Sequence, residues 1–172
     1  RRDLLQLAPD DGRRLRGFQF LSAKPLLIVL NMDEADLASV NDAVRLADID
    51  SFLAGAATRA VPICAKIELE IAQLEEADRA AFMSDLGLQE SGLDRVIRAS
   101  YDLLGYISFF TVGEDECRAW SIPRDTSAVL AAGEIHSDIS RGFIRAEVVR
   151  YEALLARGSL TANREHGELR LE

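Results

Sequence analysis

Asn31 and Glu34 stand three residues apart at the end of an aliphatic run, Leu26-Leu27-Ile28-Val29-Leu30. The Asn31 amide offers donors and an acceptor, and the Glu34 carboxylate offers acceptors only. Such a pair at the tip of a strand can recognise a ligand by its hydrogen-bonding edge. Ligands in parallel α/β sheets sit beyond the carboxyl ends of the strands, which is where this pair lies. Asn31 equally suits the cap of a following helix, a role that contributes about 1 kcal/mol. A second apolar stretch, Ala60-Val61-Pro62-Ile63-Cys64-Ala65, ends at Lys66. If the two strands are adjacent, Lys66 lies beside the Asn31 tip; otherwise it is a solvated first-turn residue. His136 and His166 are too isolated in the sequence to suggest a metal site or a catalytic triad. No catalytic residue and no metal ligand is expected in this chain.

The elements that position these residues are legible from pattern. Pro25 opens the first run and Asn31 closes it. A short unbroken aliphatic run between turn formers predicts a strand buried on both faces. Val40, Val44 and Ala47 predict a helix over roughly 36–48. Ile67, Ile71, Leu74, Ala81 and Phe82 predict helix near 67–85, ended by Gly87. Ser91-Gly92-Leu93-Asp94 is a capping box. Leu93, Val96, Ile97, Tyr101 and Leu104 then carry a helix to Gly105. Strand, helix, strand, helix is the order of an α/β sheet.

The pattern changes at Gly105. Residues 106–111 and 117–122 predict a β-hairpin around Gly113–Glu116. Period-two alternation puts Trp120 on one strand face with Arg118 and Ile122. Helices are expected at 128–132, 152–157 and 161–166, the first capped by Thr126 or Ser127. Strands are expected at 143–149 and 168–172. At the other end, residues 1–23 predict a helical tail, broken at Pro9-Asp10-Asp11-Gly12 and resumed from Arg13 to Leu21.

The chain has 172 residues, 20 basic and 29 acidic, for a net charge of −9. That balance argues against broad affinity for nucleic acid. Residues 106–172 hold eight arginines against eleven acidic residues, a net of −3. Arg118, Arg124, Arg141, Arg145 and Arg150 can still form a local phosphate-binding face, or be scattered surface charges. The only lysines are Lys24 and Lys66; arginine- and alanine-rich usage suggests a high-GC bacterial genome. Two distant cysteines, Cys64 and Cys117, suit a reducing compartment. With neither a leader nor a long apolar run read in the sequence, a cytoplasmic location and no membrane contact are expected. Oligomeric state is not legible.

Read together, several segments resemble one family. They are Ser22-Ala23-Lys24-Pro25, Asn31-Met32-Asp33-Glu34, Val61-Pro62-Ile63-Cys64-Ala65-Lys66-Ile67-Glu68 and Glu90-Ser91-Gly92-Leu93-Asp94. Phe109-Phe110-Thr111, Arg118-Ala119-Trp120, Ala132-Gly133-Glu134-Ile135-His136 and residues 141–148 complete them. In this order the chain is similar to the YchF-type branch of the Obg-related P-loop NTPases. The resemblance implies an α/β remnant of a P-loop NTPase G domain, followed by a small α+β ubiquitin-like β-grasp (TGS) domain. Residues 1–21 would be the end of a helical coiled-coil insertion, 22–105 the C-terminal part of the G domain, and 106–172 the TGS domain with its final strand incomplete.

The resemblance also implies chemistry. P-loop GTPases read guanine with Asn-Lys-x-Asp; here Asn31-Met32-Asp33-Glu34 stands in that place. Asn31 would read the base edge, and Met32 would pack where the pattern has lysine. Glu34 is one methylene longer than aspartate, which favours ATP at least as much as GTP. Cys64, Ala65 and Lys66 would form the second base-contact loop; Cys64 is either inert packing or a thiol that tunes the site by oxidation. The family implies slow hydrolysis of ATP (or GTP) as a switch, Mg²⁺ in the longer protein, and association with the ribosome, by its large subunit or RNA through the TGS domain. No Gly-x-x-x-x-Gly-Lys-Ser/Thr occurs in this chain. The chain is therefore expected to be a C-terminal part of a longer protein and inactive alone. A non-catalytic interaction module acting through the TGS domain is the alternative.

Overall fold

A parallel pair of strands organises the first half of the chain. The computed structural model describes residues 9–39, 49, 53, 57–113 and 115–172. It divides into two units, Arg1–Gly105 and Tyr106–Glu172. In the first, β1 (Leu26–Asn31) pairs in parallel with β2 (Thr58–Ile63), with Asn31 opposite Ile63. Parallel pairing requires a long connection, and the helix predicted over 36–48 falls mostly outside the described residues. Its start, Glu34–Ser39, is a 3-10 helix.

The strand prediction needs one correction. β1 is not buried on both faces: Leu26 and Val29 are 43% and 44% exposed. Among the described residues the sheet has only these two strands. The core lies on the β2 side, where Cys64, Ile67 and Ile71 are buried and Phe82, Met83, Leu86 and Leu88 pack on them.

The helix predicted near 67–85 is two helices, α1 (Ala65–Gln73) and α2 (Glu76–Asp85). Leu74 and Glu75 between them are extended. The apolar stripe lapses between Leu74 and Ala81. Glu75, Glu76 and Asp78 fill the gap, acidic residues that favour a helix N-terminus. The break lets Phe82 and Met83 fold back onto Ile67 and Ile71.

The next helix, α3 (Gly92–Leu104), starts and stops as its caps dictate. Ser91 Oγ accepts from Asp94 N at 3.0 Å, and Gly105 closes the helix at φ +71°. A glycine takes that left-handed conformation at least cost. The helix packs on both strands. Its predicted apolar stripe is another matter: Leu93, Ile97, Tyr101 and Leu104 are exposed. The buried and half-buried positions are Gly92, Arg95, Val96, Ala99, Ser100 and Leu103, so of the predicted stripe only Val96 is partly covered. Upstream, Pro9–Arg16 is helical, so Pro9 opens a helix rather than breaking one. Proline suits a first helical turn because its missing N–H would have no intrahelical acceptor there.

The second unit holds an antiparallel hairpin, β3 (Tyr106–Val112) with β4 (Cys117–Pro123), Phe109 opposite Trp120. Helix α4 (Ala128–Ile135) packs on β4, where Ile122 and Ala132 are buried. It has no side-chain cap: Thr126 Oγ1 donates to Pro123 O instead. A short helix, α5 (Ser137–Arg141), follows, with His136 as its cap; His136 Nδ1 accepts from Asp138 N at 3.1 Å. Of the strand predicted over 143–149 only β5 (Glu147–Val148) forms, paired with β6 (Arg170–Leu171) in a separate sheet. A ladder is no longer than its partner, and Ile144 is 90% exposed. Helices α6 (Tyr151–Arg157) and α7 (Leu160–Glu165) lie between these strands in sequence.

Trp120 is half-buried. Its Nε1 donates to Thr111 Oγ1 at 3.0 Å, and the Arg118 guanidinium lies 4.4 Å from its ring centre. Acrylamide should therefore quench Trp120, the only tryptophan, more slowly than free indole. Arg118→Ala should speed quenching while costing only about 0.5–1 kcal/mol of stability. Quenching as fast as for free indole would contradict this packing.

Candidate functional site

The site is built where β1 and β2 end. Their parallel register places Asn31 and Ile63 side by side. Met32 N donates to Ile63 O at 2.8 Å, so the pairing runs one residue beyond the strand. Asp33 then turns the chain, its Oδ1 accepting from Ala35 N at 3.2 Å.

Cys64 is the N-cap residue of α1, with no side-chain bond to the helix. The acceptor that a cap would supply comes from the other strand. Asn31 Oδ1 accepts from Ala65 N at 3.0 Å. Asn31 thus ties the two strand ends together and caps a helix, but not the one after its own strand. An amide oxygen has two lone pairs, so one remains for a further donor. No described residue accepts from Asn31 Nδ2. The next N–H groups of α1 lack intrahelical acceptors, as at any helix start.

Lys66 and Glu34 meet above these strand ends. Lys66 Nζ lies 2.5 Å from Glu34 Oε2, with the two side chains 68% and 47% exposed. The hydrogen bond and charge of Glu34 hold the Lys66 ammonium above its ordinary 10.5, with Glu70 and Asp33 adding to the effect. A raised lysine pKa adds stability that is present below about 10.5 and lost as pH rises through the folded value. The pair therefore carries no pH dependence from Lys66 at neutrality.

Asn31, Met32, Glu34, Cys64, Ala65 and Lys66 are all at this strand end. Asn31, Glu34 and Lys66 are exposed, Met32 is half-buried, and Cys64 is buried against Ile67. Together they present an amide, a carboxylate and an ammonium at one strand end. Among the described residues no group of three acidic, histidine or cysteine side chains could hold a metal ion. Among them, too, no helix is long and apolar enough to cross a membrane.

Glu68 is the residue that sequence reasoning missed. Its Oε1 accepts from Gly92 N at 2.7 Å and its Oε2 from Leu93 N at 3.2 Å. One carboxylate on α1 thus holds the N-terminus of α3. A Cβ at Gly92 would meet Glu68 Oε1 at 2.8 Å and Ile63 Cγ2 at 2.9 Å. The sequence signal was a small residue at the first position of a helix, with nothing local to point to its partner.

Residues 106–172 match the family model YchF-GTPase_C, described as a protein of unknown function (DUF933). The second unit is thus a domain of that class, within a mixed α/β chain of small sheets. The whole chain is similar to longer proteins. It is 43% identical over 168 residues to the ribosome-binding ATPase YchF of Bacillus subtilis (strain 168), covering 98% of this chain and 46% of that protein. It is 37% identical, with the same coverage, to the ribosome-binding ATPase YchF of Escherichia coli O157:H7. The Schizosaccharomyces pombe YchF GTPase structure matches with a TM-score of 0.78 at 28% identity, over 97% of this chain and 44% of that one. Residues 106–172 thus belong to the YchF-GTPase_C family, and the chain resembles YchF proteins over nearly its whole length. It spans about half the length of the curated relatives it matches.

Proposed function

We propose that this chain carries the base-reading end of the nucleotide site in a ribosome-associated P-loop NTPase. In this reading residues 22–105 are the C-terminal part of the G domain and residues 1–21 the end of its helical insertion. Residues 106–172 are a TGS module through which the protein meets the ribosome, at its large subunit or RNA. The nucleotide is ATP (or GTP), hydrolysed slowly as a switch. Its phosphates and Mg²⁺ are held by residues outside this sequence. The Bacillus subtilis and Escherichia coli relatives are named ribosome-binding ATPases, which supports both halves of the proposal.

One observation carries the nucleotide half: Asn31 and Ala65 at the start of α1, 34 residues apart, meet at one strand end through a 3.0 Å bond. Asn31 would offer Nδ2 to adenine N7 and its free Oδ1 lone pair to the 6-amino group. Ala65, Lys66 and the stem of Met32 would border the ring. Cys64 would serve as packing beneath the loop.

Asn31→Ala in the full-length protein should weaken binding of ATP and GTP alike, by roughly tenfold or more for two lost hydrogen bonds. Equilibrium titration of both nucleotides checks it. Unchanged affinity for both would remove the base site from this strand end.

A further inference from the structure

We propose that Lys66 is a specificity-determining residue, which withholds the Glu34 carboxylate from guanine and so tilts base choice toward adenine. The inference rests on the base site proposed above. It starts from the ion pair between Lys66 Nζ and Glu34 Oε2 at 2.5 Å, which bridges the two loops of that site.

Guanine and adenine differ at the edge that a carboxylate would face. Guanine presents two donors there, N1–H and the 2-amino group. Adenine presents the N1 lone pair and no donor. A carboxylate at this edge therefore attracts guanine and repels adenine, provided both of its oxygens are free to turn to the ring. Here one oxygen of Glu34 is committed to an ammonium. To read guanine bidentately, Glu34 must release Lys66 or carry it along. To accept adenine, Glu34 need not move, and its charge is already balanced.

Asp33 and Glu70 also favour the Lys66 ammonium electrostatically, so Lys66 stays charged at this strand end, and Glu34 is the carboxylate in direct contact with it. The same exposure that keeps the pair weak in stability terms puts it where an incoming base would arrive. Lys66 acts through Glu34 rather than by its own contact with the discriminating edge.

The test uses the full-length protein and the ratio of its affinities for Mg·ATP and Mg·GTP. Lys66→Met keeps an unbranched apolar stem and removes the charge. It should shift the ratio toward GTP by about tenfold, the worth of one charge-assisted hydrogen bond regained. Lys66→Arg, which keeps the ion pair, should hold the ratio near wild type. In a Glu34→Gln background, Lys66→Met should change the ratio little, because there is no carboxylate to withhold. Raising ionic strength should move the wild-type ratio toward GTP and leave the Lys66→Met ratio in place. If Lys66→Met leaves the ratio unchanged while Asn31→Ala weakens both nucleotides, the pair is an incidental surface contact and the inference fails. If Asn31→Ala also has no effect, the base site itself is misplaced and the inference falls with it.

Discussion

Replacing Glu68 by alanine is expected to destabilise the first unit by about 2–3 kcal/mol, from two lost carboxylate bonds, one of them to a buried N–H. Glu68 receives Gly92 N at 2.7 Å and Leu93 N at 3.2 Å. Gly92 is buried, so its N–H loses its partner without gaining water. Leu93 is 62% exposed and can turn to solvent, which limits the second loss. The higher helix propensity of alanine returns only a few tenths of a kcal/mol on α1. Glu68→Gln keeps an oxygen for Gly92 but loses the charge that favours a helix N-terminus, so about 1 kcal/mol is expected. Denaturation should be followed by far-ultraviolet circular dichroism, since the single tryptophan is in the other unit. Gly92→Ala should destabilise by about 1–3 kcal/mol, because its Cβ intrudes on Glu68 Oε1 and Ile63 Cγ2. In the Glu68→Ala background the same change should cost less, since one of the two obstacles is gone. Additive costs would mean that the two residues do not share this contact.

What the sequence made legible is what local chemistry specifies. The Leu26–Leu30 run, the Ser91 cap and the Gly105 stop each depend on neighbours a few residues away, and each is where it was expected. The meeting of the Asn31 and Lys66 loops depended on strand adjacency, which two short aliphatic runs suggested and the Asn31–Ile63 register supplies. Other features depend on partners that no window contains. Glu68 and Gly92 are 24 residues apart, and Lys66 and Glu34 are 32 apart. The apolar residues of α3 had the right period but mostly the wrong face: Leu93, Ile97, Tyr101 and Leu104 are exposed, while Val96 and Leu103 are half-buried beside the small and polar Gly92, Arg95, Ala99 and Ser100. Periodicity reports that a stripe exists and not what covers it. His136 stood out in the sequence without a role; its ring nitrogen caps α5, a job any short acceptor side chain could fill.

Glu34→Asp combined with Met32→Lys is expected to convert the full-length protein from binding ATP at least as tightly as GTP to preferring GTP. Two effects add. An aspartate carboxylate in the Asn-Lys-x-Asp pattern accepts from guanine N1–H and the 2-amino group together. Each such charge-assisted bond contributes roughly 1.5–3 kcal/mol. Shortening the side chain also retracts the carboxylate by roughly 1.5 Å, one C–C bond. The 2.5 Å contact with Lys66 then stretches to the edge of ion-pair range. The carboxylate is thereby freed from the ammonium and set at the reach that guanine needs. Met32→Lys would put a long polar-tipped stem where the proposed base site has a thioether. The combined gain for guanine is about tenfold to a hundredfold, the equivalent of one such bond at about 1.4 kcal/mol per factor of ten. Titrating both nucleotides against wild type, each single variant and the double variant separates the contributions. The Glu34→Asp single variant should carry most of the change, because it alone alters the discriminating edge. A wild-type protein that already binds GTP tenfold more tightly than ATP would show that Glu34 reads guanine despite Lys66, and the reading of Asn31-Met32-Asp33-Glu34 would be wrong.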